Sequence, residues 1–505
     1  MNTRQALAVD KIKRTQKPSL SIEGFKGVLD PHQMRNTAFA YTLERCIVAD
    51  DPGLGKTVVA CALMALLVNR EKASRFMVIC EGAAQRQWYD EIKKFTWFEP
   101  LVVRGAKRAK LWPTHSMYDV IVTSYELIHR DYGWYEKVAE TVDCVIIDEA
   151  SILKNSTIQT SKKVKNILRF NQRVVLLTAT AFDKNLLQMH SLFEIIDPNV
   201  LGSTRQFMDR FCEIHWDTIY RKNKQGFPEQ INVPRVIGYK DLDLFKRLIS
   251  PYVIRHTSDE VQMPALRIVN KWLDMSSKQQ KIYNELEEGL LRTIDGDDHI
   301  TAATKFTRLI QSCDDPSIIN DQYPDVSVKL DYLRSQLTGE LSGHKVLIFS
   351  KFMQSIKKIR NLLNELGIGW VEWSGEISQV DREAAKKKYK EDPNCKVMIL
   401  SLAGERGINL QSPYMICFDQ VFNAQRMKQI QGRARRRDSE YDSVVVYNYI
   451  TAGTVEEVMF NKIKDEGELY TEIMSDADKE IFEDLSPSQM KELLKQSKSN
   501  RKKQV

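Results

Sequence analysis

The sequence predicts an α/β protein of two parallel-sheet domains joined by a helical region, and three observations carry that expectation. Short apolar runs alternate with longer amphipathic stretches from about Gly24 to Phe211, and the alternation restarts at Lys345. Alternation of strand and helix implies a parallel sheet covered by helices. The stretch Ala49-Asp-Asp-Pro-Gly53-Leu54-Gly55-Lys56-Thr57 sits between an apolar run and a helical pattern, the setting of a phosphate-binding loop. Finally, 505 residues suffice for two or three domains, each with its own core.

In chain order, residues 1–23 are polar and basic and read as a mobile arm. Residues 24–215 form the first domain, with strands expected at Cys46–Ala49, Phe76–Cys80, Asp119–Thr123, Asp143–Asp148 and Arg173–Thr178. Residues 216–335 lose the alternation and read as a connecting helical region without a second sheet. Within it, Trp216–Asn232 is polar and contains Gly226-Phe227-Pro228, so an exposed loop is expected, with helices over Leu242–Ile254, Ser276–Leu291 and Thr301–Cys313. Residues 336–453 form the second domain, with strands at Lys345–Phe349, Trp370–Trp373, Lys396–Leu400 and Tyr414–Phe418 and helices at Gln354–Leu366 and Asp381–Tyr389. Residues 454–505 look helical and fade into a basic tail.

Composition narrows the class. No apolar run approaches the roughly 18–20 residues needed to cross a bilayer, and the N-terminus is too polar for a signal peptide. A cytoplasmic protein of a bacterium or a virus-infected cell is expected, or a nuclear one if the source is eukaryotic. The eight cysteines are isolated, with no C-x-x-C, which argues against zinc and a disulfide framework. The net charge of +7 is concentrated in the tail, where Lys491, Lys495, Lys498, Arg501, Lys502 and Lys503 face only Glu492. The body is nearly neutral, so bulk charge carries no nucleic-acid claim. The tail reads equally as a phosphate-attracting segment or as a solvated, disordered end.

Four motifs carry chemistry. In the phosphate loop, Gly53 and Gly55 let backbone N–H groups curl around phosphates, Lys56 reaches the β/γ oxygens, and the Thr57 hydroxyl ligates Mg²⁺. Asp50 stands where the first glycine of G-x-x-x-x-G-K-[ST] belongs, and alone the run also fits a surface turn. Cys144-Val-Ile-Ile-Asp148-Glu149 is an apolar strand ending in adjacent acids: Asp148 suits Mg²⁺, and Glu149 suits orientation and deprotonation of the attacking water. Leu177-Thr178-Ala179-Thr180 reads as a strand end, or as a hydroxyl link from the γ-phosphate site. Gln429-Ile-Gln-Gly432-Arg433-Ala-Arg-Arg436 puts Arg433 and Arg436 on one helical face, suited to a γ-phosphate in the manner of arginine fingers, with Gln429 beside them. The same arginines also fit a phosphodiester anchor or a solvated helix.

This ordered set resembles the superfamily 2 helicases, and specifically the Swi/Snf-like DNA translocases, over about residues 25–475. That family's first motif is D-E-x-G-x-G-K-T, so the resemblance makes Asp50 the expected residue. Leu29-Asp-Pro31-His-Gln33 is similar to the upstream motif whose glutamine contacts adenine. Val78-Ile-Cys80-Glu81 with Gln87-Trp88, and Val122-Thr123-Ser124-Tyr125-Glu126, resemble DNA-contact motifs. Pro251-Tyr-Val-Ile-Arg255, Met275-Ser-Ser-Lys-Gln279, Lys345-Val-Leu-Ile-Phe349-Ser350 and Ser401-Leu-Ala-Gly404-Glu-Arg-Gly407-Ile-Asn409 follow in the family's order.

The resemblance implies two RecA-like lobes, ATP and Mg²⁺ as cofactors, and double-stranded DNA as partner, held through its backbone by a monomeric motor. It places Gln33, Asp50, Gly53, Leu54, Gly55, Lys56, Thr57 and Gly407 at the nucleotide, and Ser124, Tyr125, Ser350 and Asn409 at DNA. Trp373 reads first as core and second as a base-stacking platform. Three departures stand out: Ser151 replaces the histidine of D-E-A-H, Ala181 replaces a proline, and Arg255-His256-Thr257 lacks the second arginine and the lysine. The last leaves a bracing role for that segment unsupported. A strand-separating or annealing helicase, or a nucleotide-dependent scaffold, remain the competing readings. The absence of reader modules suggests a minimal motor of bacterial or viral type.

Overall fold

A computed structural model describes residues 3–504 except 17, 155–158, 170, 180–185, 223–227, 259, 262, 296–298, 403–409, 422–426, 428–429, 433, 436–438 and 466–486. The chain divides into two compact units, Met1–Val261 and Gln262–Val505.

The first unit is built on a seven-stranded sheet in the order β3-β4-β2-β5-β6-β1-β9. Its strands are β1 (Arg45–Val48), β2 (Phe76–Cys80), β3 (Pro100–Val102), β4 (Val120–Ser124), β5 (Cys144–Ile147), β6 (Arg173–Leu177) and β9 (Val253–Ile254), all pairing in parallel. Both faces are covered. Ile47, Ile79, Ile121, Ile147 and Leu176 enter one core, while Cys46, Val48, Val78, Cys80, Val122, Ile146 and Val175 enter the other. Burial on both faces explains why these strands read as continuous apolar runs. Every loop after a strand therefore emerges at one edge, where ligands of open parallel sheets bind.

Two expectations for this unit are corrected. The N-terminal arm is α1 (Thr3–Arg14), docked on α2 (Pro31–Thr42) with Val9 buried. Lys13 Nζ donates to the carbonyls of Ser250 and, at 2.6 Å, Val253, and Arg35 Nη1 donates to Thr15 O at 3.2 Å. Burial pulls Lys13 down to about 8. The loop expected over Trp216–Asn232 is instead most of an antiparallel hairpin, β7 (Cys212–Lys222) and β8 (Pro228–Tyr239). Pro234 stands opposite Trp216 in the ladder. Pro228, which suggested a loop, opens β8 opposite Lys222, a strand-end position in a two-stranded ribbon that tolerates a proline.

The second unit carries a six-stranded parallel sheet, β10-β15-β14-β11-β13-β12. Its strands are β10 (Ala265–Leu273), β11 (Val346–Phe349), β12 (Gly369–Trp373), β13 (Cys395–Leu400), β14 (Tyr414–Cys417) and β15 (Ser443–Thr451). β10 falls where only helices were expected, and it pairs with β15 over nine residues. Its side chains are exposed or half-exposed except Leu273, so it lacks the buried apolar run that revealed the others. Trp373 is 2% exposed in one sheet core, which answers its double reading in favour of packing.

A third core lies among helices Ser277–Asp295, His299–Asp314, Val455–Asp465 and Pro487–Gln504. The basic tail is thus part of a packed helix: Met490, Leu493 and Leu494 are buried, and Arg501 Nη2 donates to Glu287. Nearby, Lys329 Nζ, fully buried, lies 2.9 Å from Asp314 Oδ1 and 2.8 Å from Glu456 Oε1. Burial alone would discharge Lys329, but Asp314 and Glu456 outweigh it and hold the amine protonated. Among the described residues, no helix is long and apolar enough to cross a membrane.

Candidate active site

The phosphate loop leaves β1 and enters α3 (Lys56–Glu71) with Gly55 as its N-cap. Gly53 and Gly55 take φ of 86° and 81°, a left-handed conformation that glycine adopts at least cost. A β-carbon on Gly55 would sit 2.5 Å from Gln33 Nε2. Leu54 is buried, and its carbonyl accepts from His32 Nε2 at 2.9 Å and Gln33 Nε2 at 3.2 Å. Gln33 Oε1 also accepts from Asp30 N at 3.0 Å, so the glutamine expected at adenine spans α2 and the loop. Desolvation first lowers the His32 pKa, which keeps the ring neutral with Nε2 as donor. Lys56 Nζ lies back across the loop, 2.7 Å from Asp50 O and 3.3 Å from Asp51 O. Thr57 follows in the first turn of α3, where unpaired N–H groups and the helix dipole favour an anion.

The Asp50 carboxylate does not face this cradle. It is fully buried and accepts from Asn36 Nδ2 at 2.5 Å, His256 N at 2.9 Å and His256 Nδ1 at 3.1 Å. Asp51 accepts from Ser258 N at 3.0 Å and pairs with Arg255 at 3.4 Å. Residues 255–258 therefore brace the loop, which corrects the reading that left this segment without such a role. Nothing in the spacing announced His256 or Asn36, because hydrogen bonds between distant segments leave no periodic trace.

Asp148 and Glu149 emerge from β5. Trp88 Nε1, on α4 (Gln85–Phe95), donates to Asp148 Oδ2 at 2.8 Å, and Glu149 N donates to Asp148 Oδ1 at 3.0 Å. Desolvation first, then the neighbouring Glu149 charge, push Asp148 up to about 6, against the Trp88 N–H and Lys56. Glu149 takes φ of 48°, an uncommon backbone state for a residue with a side chain, and its Oε2 is buried without a hydrogen-bond partner among the described residues. That leaves a buried carboxylate oxygen with its hydrogen-bonding capacity unused.

These groups fit Mg²⁺. Asp148 and Thr57 are hard oxygen donors, and among the described residues no group of three or more acids, histidines or cysteines is placed to hold a metal ion by itself. Mg²⁺ is commonly held by one or two carboxylates plus substrate phosphates, not by an all-protein cage.

The expected DNA contacts are placed differently. Ser124 and Tyr125 are 3% and 5% exposed. The Tyr125 hydroxyl, kept protonated by burial and then by Asp148, donates to Asp148 O at 2.7 Å. Ser350 is fully buried, and its hydroxyl donates to Asp419 Oδ2 at 2.5 Å. All three side chains are enclosed, and Tyr125 and Ser350 engage their hydroxyls in internal hydrogen bonds. Thr178 is buried at the end of β6, with its N–H on Val48 O at 3.0 Å. Thr180, Gly407, Asn409, Gln429, Arg433 and Arg436 lie outside the described residues.

Comparison with known proteins gives this geometry its family. The model of the SNF2-related domain matches residues 32–319, and that of the helicase conserved C-terminal domain matches residues 328–438. TATA-binding protein-associated factor mot1 of Aspergillus fumigatus is 25% identical over 90% of this chain and 27% of its own length. Chromodomain-helicase-DNA-binding protein 1-like of Mus musculus is 25% identical over 89% of this chain and 50% of its own. DNA repair and recombination protein RAD54-like of Homo sapiens is 23% identical over 92% and 69%. The chain thus spans about a quarter of the length of the mot1 relatives. The solved Sulfolobus solfataricus SWI2/SNF2 ATPase core in complex with dsDNA aligns over 94% of this chain and 98% of that one, at 24% identity and a TM-score of 0.43. The chain belongs to the SNF2-related family, a superfamily 2 family of DNA-dependent ATPases.

Proposed function

We propose that this chain is an ATP-driven translocase on double-stranded DNA that remodels DNA or protein–DNA complexes. The observation that carries the reading is the joint emergence of the phosphate loop from β1 and of Asp148-Glu149 from β5 at the same edge of one parallel sheet. Lys56 and the first turn of α3 hold the phosphates, Thr57 and Asp148 hold Mg²⁺, and Glu149 orients the attacking water and takes its proton. When bound, Mg²⁺ neutralises charge on the β- and γ-phosphate oxygens. Arg433 and Arg436 would supply the cationic groups for transition-state charge, with the neutral Gln429 and with Gly407 assigned to the same nucleotide site. Hydrolysis drives a domain-closure cycle that advances the chain along DNA. DNA is gripped through its backbone, with Asn409 among the contacts, so binding is sequence-tolerant and salt-sensitive. The motor acts as a monomer.

The test is displacement of a third strand from a triplex on a long duplex. ATP-dependent displacement without opening of a forked duplex is expected. Fork opening, or no displacement while ATP is consumed, refutes translocation on intact duplex.

A further inference from the structure

We propose that Trp88 and Tyr125 are positioning residues that fix the Asp148 carboxylate for its metal and pass the state of the Glu81–Gln85 segment on to hydrolysis. The second half rests on the DNA-dependent reading above, whereas the first stands on geometry alone.

Trp88 is 1% exposed, and an indole has a single N–H to give. That N–H goes to Asp148 Oδ2 at 2.8 Å, while Oδ1 accepts from Glu149 N at 3.0 Å. One donor on each oxygen fixes the carboxylate plane. A carboxylate has about four lone-pair sites, so two remain for a metal. Tyr125 secures the backbone of the same residue through its bond to Asp148 O at 2.7 Å. Partners of this kind set ligand orientation and are worth roughly 10- to 100-fold in metal affinity.

The same two side chains are joined to the outer segments of the sheet edge. β2 pairs with β5, and Asp148 N donates to Ile79 O at 2.9 Å. After β2 the chain makes the turn Gly82–Ala84 and enters α4, three residues before Trp88. Gly82 N donates to Glu126 Oε1 at 3.1 Å, which ties this turn to the residue next to Tyr125. Gln85 Nε2 donates to Val103 O at 2.9 Å, which ties it to the end of β3. The segments after β2, β3 and β4 thus form one hydrogen-bonded group, and two of them reach Asp148 through a single side chain each. Arg86, exposed in the first turn of α4, pairs with Asp90 at 3.1 Å on the outer side of this group. From 2.8 Å, a shift of Trp88 by roughly half an ångström or more carries its bond to Asp148 beyond the roughly 3.2 Å limit of ordinary N–H···O bonds.

Trp88→Phe removes the N–H and keeps a buried ring; Tyr125→Phe removes only the hydroxyl. Mn²⁺, used as a paramagnetic probe, is titrated into the ADP-loaded full chain and followed by electron paramagnetic resonance. ATP turnover is measured alongside, with and without duplex DNA, over a range of Mg²⁺. The expected result is Mn²⁺ affinity about tenfold weaker in Trp88→Phe and at least threefold weaker in Tyr125→Phe. The ratio of DNA-stimulated to basal turnover should fall at least fivefold, and the KM for ATP at saturating Mg²⁺ should stay within twofold of wild type. A purely structural role would move the urea midpoint and leave metal affinity and the stimulation ratio unchanged. Mn²⁺ affinity within twofold of wild type in both variants overturns the proposal, as does an unchanged stimulation ratio. If Trp88→Phe fails to fold, Tyr125→Phe decides by the same criteria. Absence of DNA stimulation in the wild type itself defeats the translocase reading and the relay together, while the Mn²⁺ titration still decides how Asp148 is held.

Discussion

Replacing Asp50 by alanine should loosen the phosphate loop by an amount that follows from its surroundings. The carboxylate is fully buried and receives three hydrogen bonds, two from His256 and one from Asn36. A net hydrogen bond to a charged group contributes about 1.5–3 kcal/mol, and a buried donor left unpaired costs about 1–3 kcal/mol. The bonds share one carboxylate and are not additive, so the expected loss is about 3 kcal/mol, with the His256 and Asn36 donors left buried. Asp50→Asn keeps the shape and one acceptor oxygen, and should lose about 1–3 kcal/mol. Urea-dependent hydrogen exchange of the α3 amides from Val59 to Leu67 reads this unit directly. A cycle with His256→Ala should give a coupling of about 1–3 kcal/mol, because the two residues are in contact. An Asp50→Ala loss below about 1 kcal/mol, or additive effects in the cycle, would refute the clasp.

Gly55→Ala forces a left-handed alanine, at about 1–2 kcal/mol, and drives its β-carbon against Gln33; calorimetric titration should show ATP affinity reduced at least tenfold, and an unchanged affinity would contradict the loop geometry. Lys329→Met leaves Asp314 and Glu456 buried without their cation and should cost about 3–5 kcal/mol by urea unfolding. Burial already pushes Asp314 up to about 6, from an unfolded value near 3.9, so its contribution is fully present below about pH 4 and is lost as pH rises through about 6. Removing Lys329 enlarges that shift, so the gap between wild type and variant should narrow as pH falls from 7 to 5; a gap that widens would contradict the assignment.

The two sheets were legible because buried parallel strands leave uninterrupted apolar runs, and β2, β5 and β6 fall within a residue or so of their expected bounds. The phosphate loop was legible for a different reason, since left-handed glycines beside a lysine are a local chemical requirement. What escaped were elements whose stabilising partners are distant in sequence. The β10 strand owes its place to β15, about 180 residues later, and the β7–β8 hairpin to a ladder that starts beside the Gly226-Phe227-Pro228 run that suggested a loop. α1 and the C-terminal helix looked like solvated ends because their polar faces outnumber the few apolar residues they bury. The motifs marked Ser124, Tyr125 and Ser350 as DNA contacts, but residue type alone could not tell an exposed side chain from the enclosed ones found here.

The central claim, ATP hydrolysis at the phosphate loop and Asp148-Glu149 under the control of duplex DNA, is tested most directly by steady-state ATP turnover with and without double-stranded DNA. Turnover should rise at least tenfold with duplex and fall at least a hundredfold in Lys56→Ala and in Glu149→Gln. Turnover indifferent to DNA, or a Lys56→Ala variant as active as wild type, would contradict the account.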